Sequence, residues 1–486
     1  MSGFEIIIII VLYFSLLLAV SLLTGRKGSD NETFFTARKQ SSWVLVAIGM
    51  VGTSISGVTF VSVPGMVRDI GFNYMQTVFG FFFGYLAVAF VLLPLYYKLN
   101  LTTIYGYLDR RFGKSSYKTG ASFFILSKSA SAAVKLYVVT LILQRIIFEP
   151  LHIPFILTVT LSIAIVWLYT FRSGIKTVVW TDTIQTLILV LALILLIVAV
   201  AGDIKMPVGE IASKLAKSAS TRIFVFDDWV SRQNFFKQFF SGIFIVIVMT
   251  GLDQDMMQKN LTCRSLSEAR KNMLWYGFSF IPINFLFLTL GALLLMLADQ
   301  NHIVLPAVSD EILPMFATGM LGKTVYVLFV LGIISAAYSS VDSAMASLTT
   351  SVSVDLLNVE AMDETKAKRV RMVIHLIVSL VMVLIILLFR SLSDRSMIDT
   401  IYTIVSYTYG PLLGMYAFGL FTKYRVRDSL IPFWAVLSPV FCYFLNEYFT
   451  VHFKYRFGYE LLIVNGLITF AGMWLSRMKN EECCSD

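Results

Sequence analysis

Gly49-Met50-Val51-Gly52-Thr53-Ser54-Ile55-Ser56-Gly57-Val58-Thr59-Phe60 occupies the middle of an apolar run that reaches Pro64-Gly65. Three glycines and four hydroxyl residues fall within eleven positions of a segment otherwise hydrophobic enough to cross a bilayer. Glycine lets the backbone leave helical geometry, and carbonyls unwound at membrane depth need a cavity or an ion to satisfy them. Interrupted helices of this kind supply binding sites in many secondary transporters. The competing reading is a small-residue face for close helix packing, which glycine and serine also make.

The rest of the chain is built for the same environment. Of its 486 residues 57 % are hydrophobic and only 14 % charged, and the mean hydropathy is +0.78, outside the range of ordinary soluble domains. Apolar runs near twenty residues long number about thirteen: 4–24, 42–66, 73–98, 117–147, 153–171, 176–201, 237–256, 273–298, 325–357, 369–390, 396–421, 429–447 and 460–476. The first run lacks a basic flank and a small-residue cleavage site, so it is expected to stay as a helix. With the N-terminus outside, the inner connections hold 24 of the 39 Lys and Arg residues and the outer ones 13, which favours N-out and C-in. These flanks account for the net charge of +9, and no basic arm suggests nucleic acid. Cys263, Cys442, Cys483 and Cys484 are too scattered for a disulfide framework or a zinc site. The longest stretch outside the apolar runs, 202–236, is too short to bury a core of its own.

A second polar interruption is Ser335-Ala336-Ala337-Tyr338-Ser339-Ser340-Val341-Asp342-Ser343 in the run 325–357. On a helix Ser335, Ser339, Ser343 and Ser347 form one line, flanked by Ser340 and Asp342. A carboxylate at membrane depth costs several kcal/mol unless it is neutralised, so such residues are usually functional. Oxygen-only ligands suit a hard cation better than a transition metal.

At this point the chain resembles the sodium:solute symporter family, which includes sodium/glucose, sodium/proline and sodium/sialic-acid cotransporters. The carriers are Phe34-Phe35-Thr36-Ala37-Arg38, Thr53-Ser54-Ile55-Ser56-Gly57 and Pro64-Gly65. They continue with Val179-Trp180-Thr181-Asp182-Thr183-Ile184-Gln185, Asp253-Gln254 with Gln258, and Arg264-Ser265-Leu266-Ser267-Glu268-Ala269. Ser339-Ser340-Val341-Asp342-Ser343 and Tyr409-Gly410-Pro411-Leu412-Leu413-Gly414 complete the set. Their order and spacing carry the resemblance over essentially the whole chain. It implies an all-α polytopic membrane protein of the leucine-transporter type, with inverted five-helix repeats over 42–201 and 237–421. One extra helix, 4–24, precedes them and two, within 429–476, follow. The second repeat should also begin with a broken helix, but 237–256 offers only Gly242 and Gly251 in its support.

The resemblance further implies sodium as the co-transported ion. Its main site maps to the carbonyls of Gly52, Ile55 and Ala336 and the hydroxyls of Ser339 and Ser340. Some members have a second sodium site, which maps to Asp182, Ser340, Asp342 and Ser343. Asp342 stands where several members carry Ser or Thr. Two carboxylates in one site repel, so a cation lies between them, one is protonated, or a lysine neutralises them.

Lys128 and Lys135, seven apart, share one helix face within 117–147. Three readings compete for them: a salt bridge to Asp182 or Asp342, contact with an anionic substrate, and snorkelling or a wet vestibule. Sialic-acid transporters of the family tend to carry Arg where Ser131 stands, before Leu136-Tyr137, so sialic acid is not carried over. Ser54, Ser56 and Thr59 on the broken helix, Tyr74 and Gln76 on the next, Ser131, Lys135 and Tyr407 are the expected cavity residues. Such a set accepts a sugar, an acidic sugar or a carboxylate. His375 reads as structural rather than as a proton relay, and no catalytic constellation of an enzyme is found.

The sequence therefore predicts a sodium-coupled symporter for a small polar organic solute, working as a monomer in the lipid bilayer of the plasma or inner membrane. One sodium ion falling through roughly 100 mV supplies about 2.3 kcal/mol, and a tenfold gradient adds about 1.4 kcal/mol. Proton coupling through Asp182, Asp342 and His375, a passive cation channel and a transporter-like sensor are the rival readings.

Overall fold

The computed structural model describes residues 3–24, 30–171, 174–229, 231–390, 397–455 and 457–478; Cys483 and Cys484 lie outside them. It is built of helices, with only two isolated bridges of strand type among the described residues. The principal helices are α1 (Gly3–Thr24), α2 (Trp43–Ser54), α3 (Gly57–Gly65), α4 (Tyr74–Ala87), α5 (Lys114–Leu143), α6 (Phe155–Thr170), α7 (Ile175–Asp203) and α8 (Phe235–Val246). They continue with α9 (Gln254–Leu261), α10 (Leu266–Gln300), α11 (Gly322–Ser351), α12 (Glu364–Phe389), α13 (Met397–Thr408), α14 (Gly410–Phe421), α15 (Ile431–Phe453) and α16 (Leu461–Leu475). Among the described residues eight helices are long and apolar enough to cross a membrane, nine if the bent pair 235–251 and 254–261 counts as one. Four shorter apolar helices, α2, α6, α14 and α16, share that composition. Helix α2 is short because it is interrupted.

That interruption lies where the glycines and hydroxyls cluster. Helix α2 ends at Ser54, Ile55 leaves helical geometry with φ −82° and ψ 86°, and Ser56 starts α3 as an extended N-cap. The Ser56 N–H, which in a continuous helix bonds the Gly52 carbonyl, instead donates to the Ser54 carbonyl at 3.1 Å. The Ser56 hydroxyl accepts from the Thr59 N–H at 3.4 Å and satisfies one orphan donor of the new helix. The packing reading also holds, one turn earlier. A Cβ on Gly49 would sit 3.0 Å from the Cβ of Asp182, and one on Gly52 would overlap the Thr186 hydroxyl. Glycines 49 and 52 press α2 onto α7, and the break follows.

A second break, which the sequence supported poorly, is present. After α8 a π-turn, Ile247–Gly251, widens the helix, and the Leu252 N–H donates to the Ile247 carbonyl at 3.0 Å. Asp253 then caps α9, its carboxylate accepting from the N–H groups of Asp255 (2.9 Å) and Met256 (3.3 Å). The two pieces are bent by 63°. The stop signal is Gly251-Leu252-Asp253: a Cβ on Gly251 would overlap the Leu92 side chain, and Asp253 is the N-cap acid of α9. Helix α11 passes both breaks: it packs on α7, α5, α2, α3 and α9 and is buried from Val341 to Ser351 without interruption.

Candidate functional site

The first break meets the serine-rich helix directly. Ser340 Oγ donates to the Thr53 carbonyl at 2.8 Å and shares its proton with the Ala336 carbonyl at 3.3 Å. Ser339 Oγ, next on α11, donates to Asp182 Oδ1 at 2.7 Å and lies 3.4 Å from the Thr53 hydroxyl. A serine that donates its proton to a carboxylate or carbonyl keeps its lone pairs for a cation. Of the residues expected at the main sodium site, Ser339 and Ser340 meet the broken helix at Thr53, Ser340 is also bonded to the Ala336 carbonyl on its own helix, and the Gly52 carbonyl has lost its helical partner without a bond to any of them among the described residues. Ile55 is the unwound residue itself.

The residues mapped to the second site behave differently. Asp182 on α7 is fully buried, and its Oδ2 lies 2.6 Å from Nζ of Lys259, a lysine only 1 % exposed. Lys259 also donates to the Thr53 hydroxyl. Asp342 has partners of its own: its Oδ2 accepts from the Tyr169 hydroxyl at 2.9 Å and from Thr181 at 3.3 Å, and Oδ1 accepts from the Ser343 N–H at 2.6 Å. Ser343 gives its hydroxyl proton to Asp255. The side chains of these residues are thus spent on neighbours other than one shared ion: Asp182 on Lys259 and Ser339, Ser340 on the Thr53 carbonyl, Asp342 on Tyr169 and Thr181, and Ser343 on Asp255.

The lysines correct the expectation of a bridge from Lys128 or Lys135 to Asp182 or Asp342. Lys128 Nζ lies 2.6 Å from Asp255 Oδ2 and 3.3 Å from Asp253 Oδ2, so it joins α5 to the start of α9. The Tyr409 hydroxyl completes that cluster, donating to Asp253 Oδ2 at 2.6 Å. Lys135, two turns further along α5, has no ion-pair or hydrogen-bond partner among the described residues. It lines a central cavity together with Thr53, Ser54, Ser131, Ser340 and Tyr409.

Of the expected cavity residues, Ser54, Ser131 and Lys135 face this space. Gln76 does not, because its amide is bonded to loop backbone. It donates to the Asn73 and Gln233 carbonyls and accepts from the Val225 N–H at 3.0 Å, tying down the stretch 202–236. Ser56 is the α3 cap, with Thr59 over it at 3.3 Å. Tyr74 packs edge-on against Phe81, and Phe81 lines the cavity in its place. Tyr407 presents its carbonyl to Asn465 at 2.9 Å, and Tyr409, two residues on, reaches the site. The wall also includes Tyr85 and Tyr276, which no sequence signal singled out; their hydroxyls are 2.8 Å apart. His375 is structural, with Nε2 and Nδ1 bonded to Thr170 (2.9 Å) and Thr349 (2.8 Å).

The profile of the sodium:solute symporter family matches residues 34–429. The chain belongs to that family. Members and relatives are transporters rather than enzymes, and sodium is the co-transported ion. The chain is 23 % identical over 485 residues to the sodium/sialic acid symporter NanT of Aliivibrio fischeri, covering 97 % of this chain and 93 % of that one. It is 24 % identical over 465 residues to the sodium/sialic acid symporter SiaT of Proteus mirabilis, covering 90 % of each. Among solved structures, a Na+-coupled sialic acid symporter in a substrate-bound outward-open state superposes with a TM-score of 0.82 at 18 % identity over 97 % of both chains. This symporter is thus a multi-pass membrane transporter of small solutes, with a leucine-transporter-like fold.

Proposed function

We propose that this symporter imports a small organic anion, an acidic sugar or another carboxylate, together with sodium across the plasma or inner membrane. The observation that carries the coupling is the Ser340 bond to the Thr53 carbonyl, made where Gly52 has lost its helical partner. Sodium held by the carbonyls of Gly52, Ile55 and Ala336 and the hydroxyls of Ser339 and Ser340 would pin the broken helix to α11. Ser54 and Ser340 line the solute cavity as well, so an ion there preorganises the solute's wall.

Lys135 supports an anionic solute. A lysine without a partner at this depth is costly unless a counter-charge arrives, and Ser131 stands one turn before it on the same wall. A neutral sugar would leave that ammonium uncompensated. Alternating access in this reading rocks the repeats 42–201 and 237–421 about the two breaks, in a monomer with N-out and C-in orientation. Loss of sodium to the cytoplasm frees α2 from α11, and the solute follows.

A thermal-shift screen of the purified protein against sugars, acidic sugars and carboxylates, with and without sodium, tests the reading. A carboxylate that stabilises the protein only with sodium supports it; a neutral sugar doing so refutes the anion. Proton coupling has one observation in its favour, since Asp342 is buried without a lysine partner among the described residues. Strong uptake in sodium-free buffer at pH 5.5 would establish that alternative.

A further inference from the structure

We infer that Lys259 is a tethered cation standing in for a second sodium ion, so that this symporter binds a single sodium. The inference deepens the sodium-coupled reading and rests on it. The residues present do not fit the second site that the resemblance implied. The carboxylate of Asp182 is the one formal anion that such a site needs, and Lys259 Nζ already lies 2.6 Å from its Oδ2. Its other oxygen accepts from Ser339 at 2.7 Å, and the Thr53 hydroxyl adds a bond to Oδ2 at 3.1 Å. Ser343 is engaged by Asp255, and Asp342 by Tyr169 and Thr181.

Lys259 reaches Asp182 because of the second break. Asp253 caps α9, and the 63° bend turns this helix inward across α11. Asp255 and Lys259, four residues apart, then share one face of α9. Asp255 takes Lys128 and Ser343, and Lys259 takes Asp182 and Thr53. The ammonium thereby links α9, α7 and α2, as an ion between those helices would. Two like charges cannot share one buried carboxylate without strong repulsion.

A cation fixed to the chain cannot leave with the gradient. It holds the helices together but contributes no driving force, so coupling falls to the main site alone.

Equilibrium binding of radioactive sodium to the purified full-length protein tests this. The wild type should bind one sodium per chain. Lys259→Met should bind two, Lys259→Arg one, and Lys259→Met combined with Asp182→Asn one again. A purely structural lysine would not create a new sodium site when removed. A monodisperse Lys259→Met protein with no added sodium overturns the inference. So do two sodium ions on the wild type, one of them lost in Asp182→Asn, a result that needs no Lys259 variant to fold. If the wild type binds none and Lys259→Met gains one, the main-site reading and the single-sodium count fail, while the assignment of Lys259 as a tethered cation stands.

Discussion

Ser340 Oγ and the Thr53 carbonyl lie 2.8 Å apart and join the serine-rich helix to the last turn before the first break. The contact is local, yet it spans 287 residues of sequence, so the two polar interruptions form one structure. Replacing Ser340 with Ala removes one cation ligand and one hydrogen bond. We expect sodium-dependent uptake to be abolished, with a stability loss of only about 1 kcal/mol. Thermal unfolding beside uptake in proteoliposomes separates the two effects. Normal transport by the variant would refute the sodium assignment.

Lys135→Gln keeps a polar side chain in the cavity and removes the charge. A lost charge-assisted hydrogen bond costs about 1.5–3 kcal/mol, so the KM for an anionic solute should rise roughly ten- to hundredfold. Sodium affinity measured without solute should hold steady. An unchanged KM would place the solute's anionic group elsewhere.

Lys128 has a different task from Lys135 despite sharing its helix face. Its removal leaves Asp253 and Asp255 buried without their cation, and breaking a buried pair from one side costs about 3–5 kcal/mol. Lys128→Met should therefore lower the melting temperature markedly, and adding Asp255→Asn should recover part of the loss. Additive losses in the double variant would count against a shared pair.

Gly52→Ala introduces a Cβ that overlaps the Thr186 hydroxyl. Overpacking of this kind costs about 1–3 kcal/mol. Thr186→Ala removes the overlapping oxygen and leaves its Cβ 3.1 Å away, so the double variant should be more stable than Gly52→Ala alone. The comparison needs only melting curves in detergent.

A single sodium carried with a monoanion moves no net charge. Wild-type uptake of such a solute should respond to the sodium gradient but not to a potassium-diffusion potential. Lys259→Met, loaded with two sodium ions, would carry one net charge. At roughly 100 mV that charge is worth about 2.3 kcal/mol, or about a fiftyfold steeper solute gradient. Potential-driven uptake by the wild type would exclude this combination.

Much of the first half of the site was legible in the chain. Glycine and hydroxyl residues crowded into an apolar run have few uses, and both uses offered for Gly49–Thr59 turned out to operate, one turn apart. The second break was less legible because it follows a π-turn, Ile247–Gly251, in which only Thr250 and Gly251 depart from the apolar pattern. A widened turn leaves no compositional trace. Lys259 was misplaced for a related reason. A lysine just past an apolar run reads as a membrane flank, and the 24 inner basic residues included it. The same composition fits a helix that bends inward, and Gly242 and Gly251 were the slight support that the run 237–256 offered for that bend. Gln76 and Tyr407 were expected in the cavity by position along their helices, but rotation about the helix axis decides which way a side chain faces.

From the sequence alone come the membrane environment, the interruption of the first broken helix and the family to which the chain belongs. These depend on composition and local order, where the cost of a polar group in lipid is steep enough to be read residue by residue. Which acid each lysine neutralises was decided only in three dimensions. Lys128, Lys135 and Lys259 are chemically alike, and pairing energies depend on distances of a few ångströms that local sequence does not encode. The bend at Asp253 sets those distances: it carries Lys259 to Asp182, gives Lys128 to Asp253 and Asp255, and leaves Lys135 facing the cavity.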